Sequence, residues 1–435
     1  MYTELKQKVY DSMLANHDEI CALADAIAAE PELGFKEEKT AKKVANLFAK
    51  HNIPYTSRLA ITGVKGMLHG KSSKCRIAVL GELDAVPCPN HPLASKETGA
   101  AHACGHNVQL AIMAACTIGL KESGILSKLD GDVIPFAVPA EEYVEISYRN
   151  QMRDQGKLHY LCGKEELIRI GAFDDIDMSM MMHASMSGDG KRVIDTGGTS
   201  NGFIGKLIHF KGKAAHAAAA PHDGVNALNA AMLAINAVNA LRETFREEDC
   251  VRFHPIITKG GDSVNVVPSS IHMESYVRAK TVQAMLETNK KINKAIKYAA
   301  MAVGAEAEIQ DLPGQLPMIN NQKLNAVYEA NVKNRLGENA IIHLGHQAGS
   351  TDMGDLSHIM PVIHPWFGGG TTGIVHSVDF KVTDTEMAYF LSAATMTDTI
   401  IDLLADGAVG AENVLHSYQS CMTKEEYLQY LSSIR

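Results

Sequence analysis

Apolar residues recur at helical spacing over residues 3–28 and 36–51, and Pro31 and Gly34 interrupt the pattern between them. Short apolar runs follow: RIAVL at 76–80, VIPFAV at 133–138 and IDMSMMM at 176–182. Each is too short for an ordinary helix and is bounded by turn signals, so each predicts a buried strand. A helix is predicted at 107–120 between the first two. Strands alternating with helices predict an α/β unit around a largely parallel sheet.

The middle of the chain follows a different order. FIGKLIHFK at 203–211 predicts a strand, followed by a helix near 224–246 and strands near 250–258 and 270–279. A second helix near 281–303 and a last strand near 305–311 complete a βαββαβ order, that of a ferredoxin-like module. Within it Ile271, Met273, Ser275 and Val277 share one face, which is mixed rather than cleanly apolar. Parallel-sheet character then returns with AIIHL at 340–344, PVIHPWF at 361–367 and a helix near 384–406. The expected organisation is an α/β catalytic domain in two parts, 1–199 and 314–435, interrupted by a smaller domain at 200–313.

Composition narrows the class. The chain has 435 residues, is 46% hydrophobic and 21% charged, and is therefore expected to fold around a sizeable core. No apolar stretch approaches the roughly 20 residues of a membrane span. A net charge of −9 argues against a nucleic-acid partner. The N-terminal residues MYTELKQKVYDSML lack the apolar core of a signal peptide. The eight cysteines are scattered without a CxxC pair, which fits a reducing, cytoplasmic setting.

Ionisable residues lie just beyond the predicted strands. GELDAVP, PAEE and His183 follow the three runs, at the sheet edge where open α/β sheets bind ligands. AHACGHN places His102, Cys104 and His106 within five residues, and Cys and His are preferred ligands of zinc. Alternate residues of an extended segment share a side, so Cys104 and His106 are expected to converge. A thiolate can also bridge two metals. In PAEE, Glu142 suits a ligand and Glu141 a general base on an activated water. His183 and His376 are further ligand candidates, and Asp84 suits an orienting partner. Taken singly, each of these is more often an ordinary polar residue. Cys104, His106, Glu142, His183 and His376 together suit two adjacent divalent ions. In the middle segment, Arg278 suits a substrate carboxylate, and His216 and Asn265 could donate to an oxyanion. There is no GxSxG elbow, no HExxH and no phosphate loop.

In combination these motifs resemble the dinuclear metallopeptidase family that contains the aminoacylases, in its amidohydrolase branch. That branch includes hippurate hydrolases, indole-acetyl-amino-acid hydrolases and aminobenzoyl-glutamate hydrolases. The resemblance is carried by PELGF at 31–35, LDAVP at 83–87, HACGHN at 102–107, PAEE at 139–142 and MMMHAS at 180–185. It continues through FKGKAAHAAAAPHDGVNAL at 210–228, VNVVP at 264–268, GSTDMGDLS at 349–357 and GIVHSVDF at 373–380. It implies a zinc-exopeptidase-like catalytic domain and an inserted lid that carries a homodimer contact. It implies Cys104 as a bridging thiolate and His106, Glu142, His183 and His376 as the other ligands of two divalent ions, Zn²⁺ or Mn²⁺. Glu141 matches the general base and Asp84 the Asp that orients a neighbouring metal ligand. His216 matches a histidine that reaches the partner's active site, and Asn265 and Arg278 match residues that hold the substrate's carboxylate end. The implied activity is hydrolysis of N-acyl amino acids or related amides; a dipeptidase or carboxypeptidase, or a non-catalytic metal-binding protein, are the alternatives. The sequence departs from many relatives at Asn107, at the long spacer CPNHPLASKETGA and at YVEISYRN after PAEE. His102 has no role assigned by the resemblance.

Overall fold

A computed structural model describes residues 2–185 and 190–434. The predicted first helix is divided at Asn16 into α1 (Thr3–Ala15) and α2 (His17–Ala28), and α3 spans Glu38–Lys50. A six-stranded sheet follows, with β1 (Tyr55–Leu59), β2 (Gly63–Gly66), β3 (Arg76–Glu82), β4 (Asp132–Val138), β5 (Met178–Met180) and a short strand at Val362–Ile363. Its order is β1-β2-β4-β3-β5 and then Val362–Ile363. The last four strands are parallel and antiparallel pairing is confined to β1–β2 and β2–β4, so the expected mixed, mostly parallel α/β class holds. Helix α4 (His106–Glu122) lies between β3 and β4 in sequence and is buried from His106 to Leu120. A helix buried on every side cannot be read from amphipathic periodicity, which is why only its apolar density marks it.

Two predicted strands are each broken in two. The run at 176–182 pairs in the main sheet at Met178–Met180, and the chain then enters a second, four-stranded sheet at His183–Ala184. The run at 361–367 does the same, with Val362–Ile363 in the main sheet and Trp366–Gly368 in the second. Pro365 stands at that crossing; it has no N–H to donate, but its carbonyl accepts from the His183 N–H at 3.0 Å. The second sheet is completed by Val193–Asp195 and Ile341–Ile342. Helices α5 (Ile146–Asp154) and α6 (Gly163–Arg169) fall in a stretch with no periodicity to announce them. The helix expected near 384–406 is a π-helical turn at Glu386–Leu391 continued by an α-helix at Ser392–Leu404.

The middle segment forms the βαββαβ order expected of it. Strands β6 (Gly202–Lys211), β7 (Arg252–Lys259), β8 (Ser270–Ala279) and β9 (Glu306–Pro313) make an antiparallel sheet in the order β7-β8-β6-β9. Helices α7 (Ala227–Ala240) and α8 (Val282–Ala302) cover one face. Asn226 caps α7 through the Asn229 N–H, and Thr281 caps α8 through the Ala284 N–H. Ile271, Met273, Ser275 and Val277 all bury on the helix-covered face, as their alternation predicts.

That face also holds a charge. Lys206 pairs in register with Asp311 and is fully buried, contacting Asp311 and Asn293, while Asn289 and Asn293 donate to the second Asp311 oxygen at 2.6 and 2.7 Å. On the opposite face the segment after PAEE ties this unit to the rest. Tyr143 donates to the Pro313 carbonyl at 2.6 Å, the Tyr276 hydroxyl donates to the Tyr143 carbonyl, and Ser147 donates to Glu274 at 2.6 Å. The two chain crossings are themselves joined, because the Phe203 N–H donates to the Gln315 carbonyl at 2.8 Å.

Candidate active site

Cys104 and His106 do converge, but not along an extended segment. Cys104 lies in a turn, His106 opens α4, and Gly105 between them has φ +87°. Only glycine enters that region without strain, and a Cβ there would lie 3.0 Å from Phe380 and 3.4 Å from Ala184. Cys104 is thus placed by a turn at a helix N-terminus rather than by strand alternation.

Around Cys104 the donors fall into two groups. Cys104, His106 and His183 offer ligand atoms all within 4.8 Å of one another, and so do Cys104, Glu142 and His376. The Cys104 Sγ lies 3.4 Å from His183 Nε2 and 3.2 Å from His376 Nε2. Glu142 lies 2.9 Å from the same His376 nitrogen. His183 Nδ1 is 2.8 Å from the Ala184 carbonyl, and His106 Nδ1 is 2.8 Å from the Asp84 carbonyl. A carbonyl can only accept, so each Nδ1 carries a proton, which leaves Nε2 as the nitrogen a metal would take. Asp84 is fully buried; its Oδ1 lies 3.2 Å from His106 Nδ1 and its Oδ2 accepts from the Glu142 N–H at 3.0 Å, so one carboxylate aligns two of the donors.

The donor set fits divalent ions on chemistry as well as on distance. Burial and the Glu142 carboxylate push the Cys104 thiol up, but the His183 and His106 rings outweigh them and bring it down to about 6. Glu142 is held at about 2, because His376 and His106 outweigh the burial that opposes ionisation. The Glu142 charge, with hydrogen bonds to Cys104 and Glu142, raises His376 to about 11. Sulfur, nitrogen and carboxylate oxygen are the donors zinc takes.

Glu141 lies outside the Cys104 groups but within reach of His106, in a third set with Glu82. It is buried, and burial with the charges of Glu82, Glu142 and Asp352 raises its carboxyl well above the ordinary range. That is the environment of a carboxylate able to take up a proton near neutrality. Gln315 holds it in place, with its side-chain N–H 2.9 Å from the Glu141 carbonyl and 3.4 Å from Oε1.

The remaining predicted residues divide. Arg278 lines the same pocket, packs over the Phe203 and Tyr276 rings and donates to Ser350 at 2.6 Å. His216 and Asn265 do not line it. They lie side by side on the βαββαβ unit, where the Ala217 N–H donates to the Asn265 carbonyl and His216 bridges to Val266, and both are exposed. His102 is buried with neither ring nitrogen partnered, and burial with the neighbouring His106 lowers it to about 3. Asn107 is buried at the start of α4.

Sequence reasoning missed an ionic chain beneath the site. Lys164 sits between Glu82, at 2.7 Å, and Asp352, and all three are almost wholly buried. Glu82 in turn faces His106 Nε2 at 3.0 Å and accepts from Gln109 at 2.9 Å. Lys164 lies in the first turn of α6, in a stretch whose sequence has neither periodicity nor a motif, so nothing local signals it. Asp352 belongs to GSTD, which carried the resemblance without a role attached.

An α/β fold with a paired-donor centre at the C-terminal edge of its sheet defines a metallohydrolase. A profile of Peptidase family M20/M25/M40 matches residues 78–401, and the chain belongs to that family. It is a hydrolase of amide or peptide bonds. It is 28% identical to the mouse Xaa-Arg dipeptidase, across 98% of this chain and 94% of the relative. It is 25% identical to the Bacillus subtilis N-acetylcysteine deacetylase, across 85% and 93%. The crystal structure of Bacillus subtilis YXEP, a dinuclear metal-binding peptidase of the M20 family, superposes with a TM-score of 0.66 at 22% identity, covering 90% of this chain and 99% of that one. That of the aminobenzoyl-glutamate utilization protein from Klebsiella pneumoniae superposes with a TM-score of 0.67 at 16% identity, covering 90% and 98%. Among the described residues no helix is long and apolar enough to cross a membrane.

Proposed function

We propose that the chain hydrolyses the amide bond of N-acyl amino acids or dipeptides bearing a free α-carboxylate. The observation that carries this reading is the pair of donor groups sharing Cys104, with Glu141 beside them. Two divalent ions, Zn²⁺ or Mn²⁺, would be held by the donor group of Cys104, His106 and His183 and by that of Cys104, Glu142 and His376, with the Cys104 thiolate common to both. Such ions polarise a carbonyl and lower the pKa of water towards about 7. Glu141 takes the proton of the attacking water and returns it to the leaving amine, its raised affinity for a proton suiting both steps. Gln315 keeps that carboxylate aimed, and Asp84 holds His106 and the Glu142 backbone in register. Arg278 receives the substrate carboxylate, which its planar fork matches.

His216 and Asn265, exposed on the βαββαβ unit, serve a second copy of the chain in this reading, which makes the protein a homodimer through residues 200–313. The same unit acts as a lid over the catalytic parts 1–199 and 314–435. A thiolate ligand requires a reducing compartment, which favours the cytoplasm.

A dipeptide offers the same bond and the same terminal carboxylate as an acyl amino acid. The Xaa-Arg dipeptidase, which matches across nearly the whole chain, favours the peptide substrate as the second form of this reading. The test is a panel of N-acetyl, N-benzoyl and dipeptide substrates assayed after adding Zn²⁺, Mn²⁺ or Co²⁺ to chelator-treated protein. Metal-dependent release of free amino acid is expected. No release from any member with any ion would sink the proposal.

A further inference from the structure

The long spacer CPNHPLASKETGA, residues 88–100, takes no part in the proposed chemistry, yet it is packed against one candidate ligand. It forms a closed hairpin. Val86–Pro87 pairs antiparallel with Ala100–Ala101 at its neck. Beyond the neck the Cys88 N–H donates to the Gly99 carbonyl and the Gly99 N–H to the Ser95 carbonyl, both at 2.8 Å. His91 projects from this hairpin onto another. Its Nδ1 accepts from the Leu93 N–H at 3.1 Å, and its Nε2 lies 2.9 Å from the Phe380 carbonyl oxygen. An amide N–H can only donate and a carbonyl can only accept, so the ring is held as the Nε2–H tautomer and donates to Phe380.

Phe380 closes the hairpin that carries His376. Thr371–Thr372 pairs antiparallel with Lys381–Val382 at the neck. Within the loop the Ser377 N–H and hydroxyl both donate to the Ile374 carbonyl, at 3.1 and 2.6 Å. Gly373, at φ +83°, faces the Asp379 carbonyl with no room for a Cβ between the two arms. Tied in this way, residues 373–380 move as a unit, and a hold on Phe380 is a hold on His376.

His376 needs that hold more than the other donors do. Cys104, His106 and His183 are buried, whereas the His376 side chain is 51% exposed. Its φ is +67°, a region that a residue other than glycine keeps only where its surroundings impose it. On one side the His376 N–H donates to the Ala103 carbonyl at 2.8 Å. On the other stands the spacer, with Cys88 Sγ 4.0 Å from the His376 carbonyl oxygen and His91 on Phe380.

We infer that His91 is a positioning residue: it docks the spacer on the 373–380 hairpin and thereby sets how tightly the group of Cys104, Glu142 and His376 holds its divalent ion. This rests on the metal-hydrolase reading above. Partners that orient a metal ligand without touching the metal change its affinity by roughly 10–100-fold.

The experiment equilibrates chelator-treated protein with graded, buffered free Zn²⁺ and measures bound zinc by elemental analysis. Two ions are expected in the wild type. His91→Asn keeps an oxygen for the Leu93 N–H but falls short of the Phe380 carbonyl. It is expected to weaken one ion by roughly 10–100-fold and to leave the other unchanged. His91→Ala is expected to do the same, and His91→Gln, whose amide N–H can reach Phe380, to bind as the wild type does. In a His376→Ala background His91→Asn is expected to change nothing further, because it acts through His376. Wild-type zinc binding by both His91→Asn and His91→Ala overturns the inference. Equal weakening of both ions, or a further loss in the His376→Ala background, overturns it too and leaves His91 a general structural role. A wild-type protein that binds no zinc at any concentration overturns the metal reading itself, and this inference with it.

Discussion

His376 Nε2 lies 3.2 Å from the Sγ of Cys104, although 272 residues separate the two. The contact is set by backbone as well as side chain, since the His376 N–H donates to the Ala103 carbonyl at 2.8 Å. The loop holding His376 is thus docked directly on the turn holding Cys104. If the thiolate is common to two metal positions, Cys104→Ala should disturb both and His376→Ala only one. Elemental analysis after dialysis against Zn²⁺ should find about two ions per wild-type chain, about one in His376→Ala and fewer than one in Cys104→Ala. Two ions retained by Cys104→Ala would exclude the shared ligand.

Glu141→Gln should separate chemistry from metal binding. The amide keeps the shape but cannot accept a proton, so kcat should fall by about 10²–10⁴-fold while metal content stays at the wild-type level. Turnover close to wild type would remove Glu141 from the proton-transfer role.

Gln315 offers a finer test, because it touches Glu141 and no proposed ligand. Loss of a hydrogen bond to a charged group is worth about 1.5–3 kcal/mol. Gln315→Leu should therefore lower kcat by roughly tenfold to a hundredfold with little change in KM. A rise in KM at constant kcat would point instead to substrate binding or to altered lid packing.

Lys164 balances two buried carboxylates. Lys164→Met fills a similar volume but leaves Glu82 and Asp352 without their cation. Breaking a buried pair in this way costs about 3–5 kcal/mol. Urea unfolding should show that loss as a lower midpoint with an unchanged slope, and an unaltered midpoint would show that the network relaxes freely.

Lys206 makes stability depend on alkaline pH. Burial outweighs the Asp311 charge and lowers its ammonium from 10.5 to about 8. Between pH 8 and 10.5 the unfolded chain therefore holds a proton that the folded chain has released. Stability rises with pH wherever the unfolded state binds more protons, so this group contributes a rise through that window and a cost below it. Lys206→Met should remove the rise. Urea midpoints compared between the two proteins from pH 7.5 to 9.5 should diverge in slope, and parallel slopes would refute the shift.

Much of the candidate site was legible because its residues announce themselves locally. Cys104 with His106, and Glu141 with Glu142, stand in dense motifs just past apolar strands, and the strands are where the runs predict them. The reason offered for the Cys104–His106 convergence was nevertheless wrong, because a turn ending in a left-handed glycine replaces the extended segment. Glu82, Lys164, Gln315 and His91 carried no local signal. Each acquires a partner only through packing, and no spacing along the chain reports it.

The sequence by itself determined the donor types, the alternation of strands and helices, and the βαββαβ insertion. These depend on side-chain chemistry and on periods of two and 3.6 residues, which are properties of neighbours in the chain. Tertiary structure decided which donors meet, that His216 and Asn265 face away from this chain's pocket, and that Lys164 lies between two buried carboxylates. It also placed His91 against the hairpin that carries His376. Strand order and register between distant segments set those contacts, and a local pattern says which face of a strand is buried but not which strand will lie beside it.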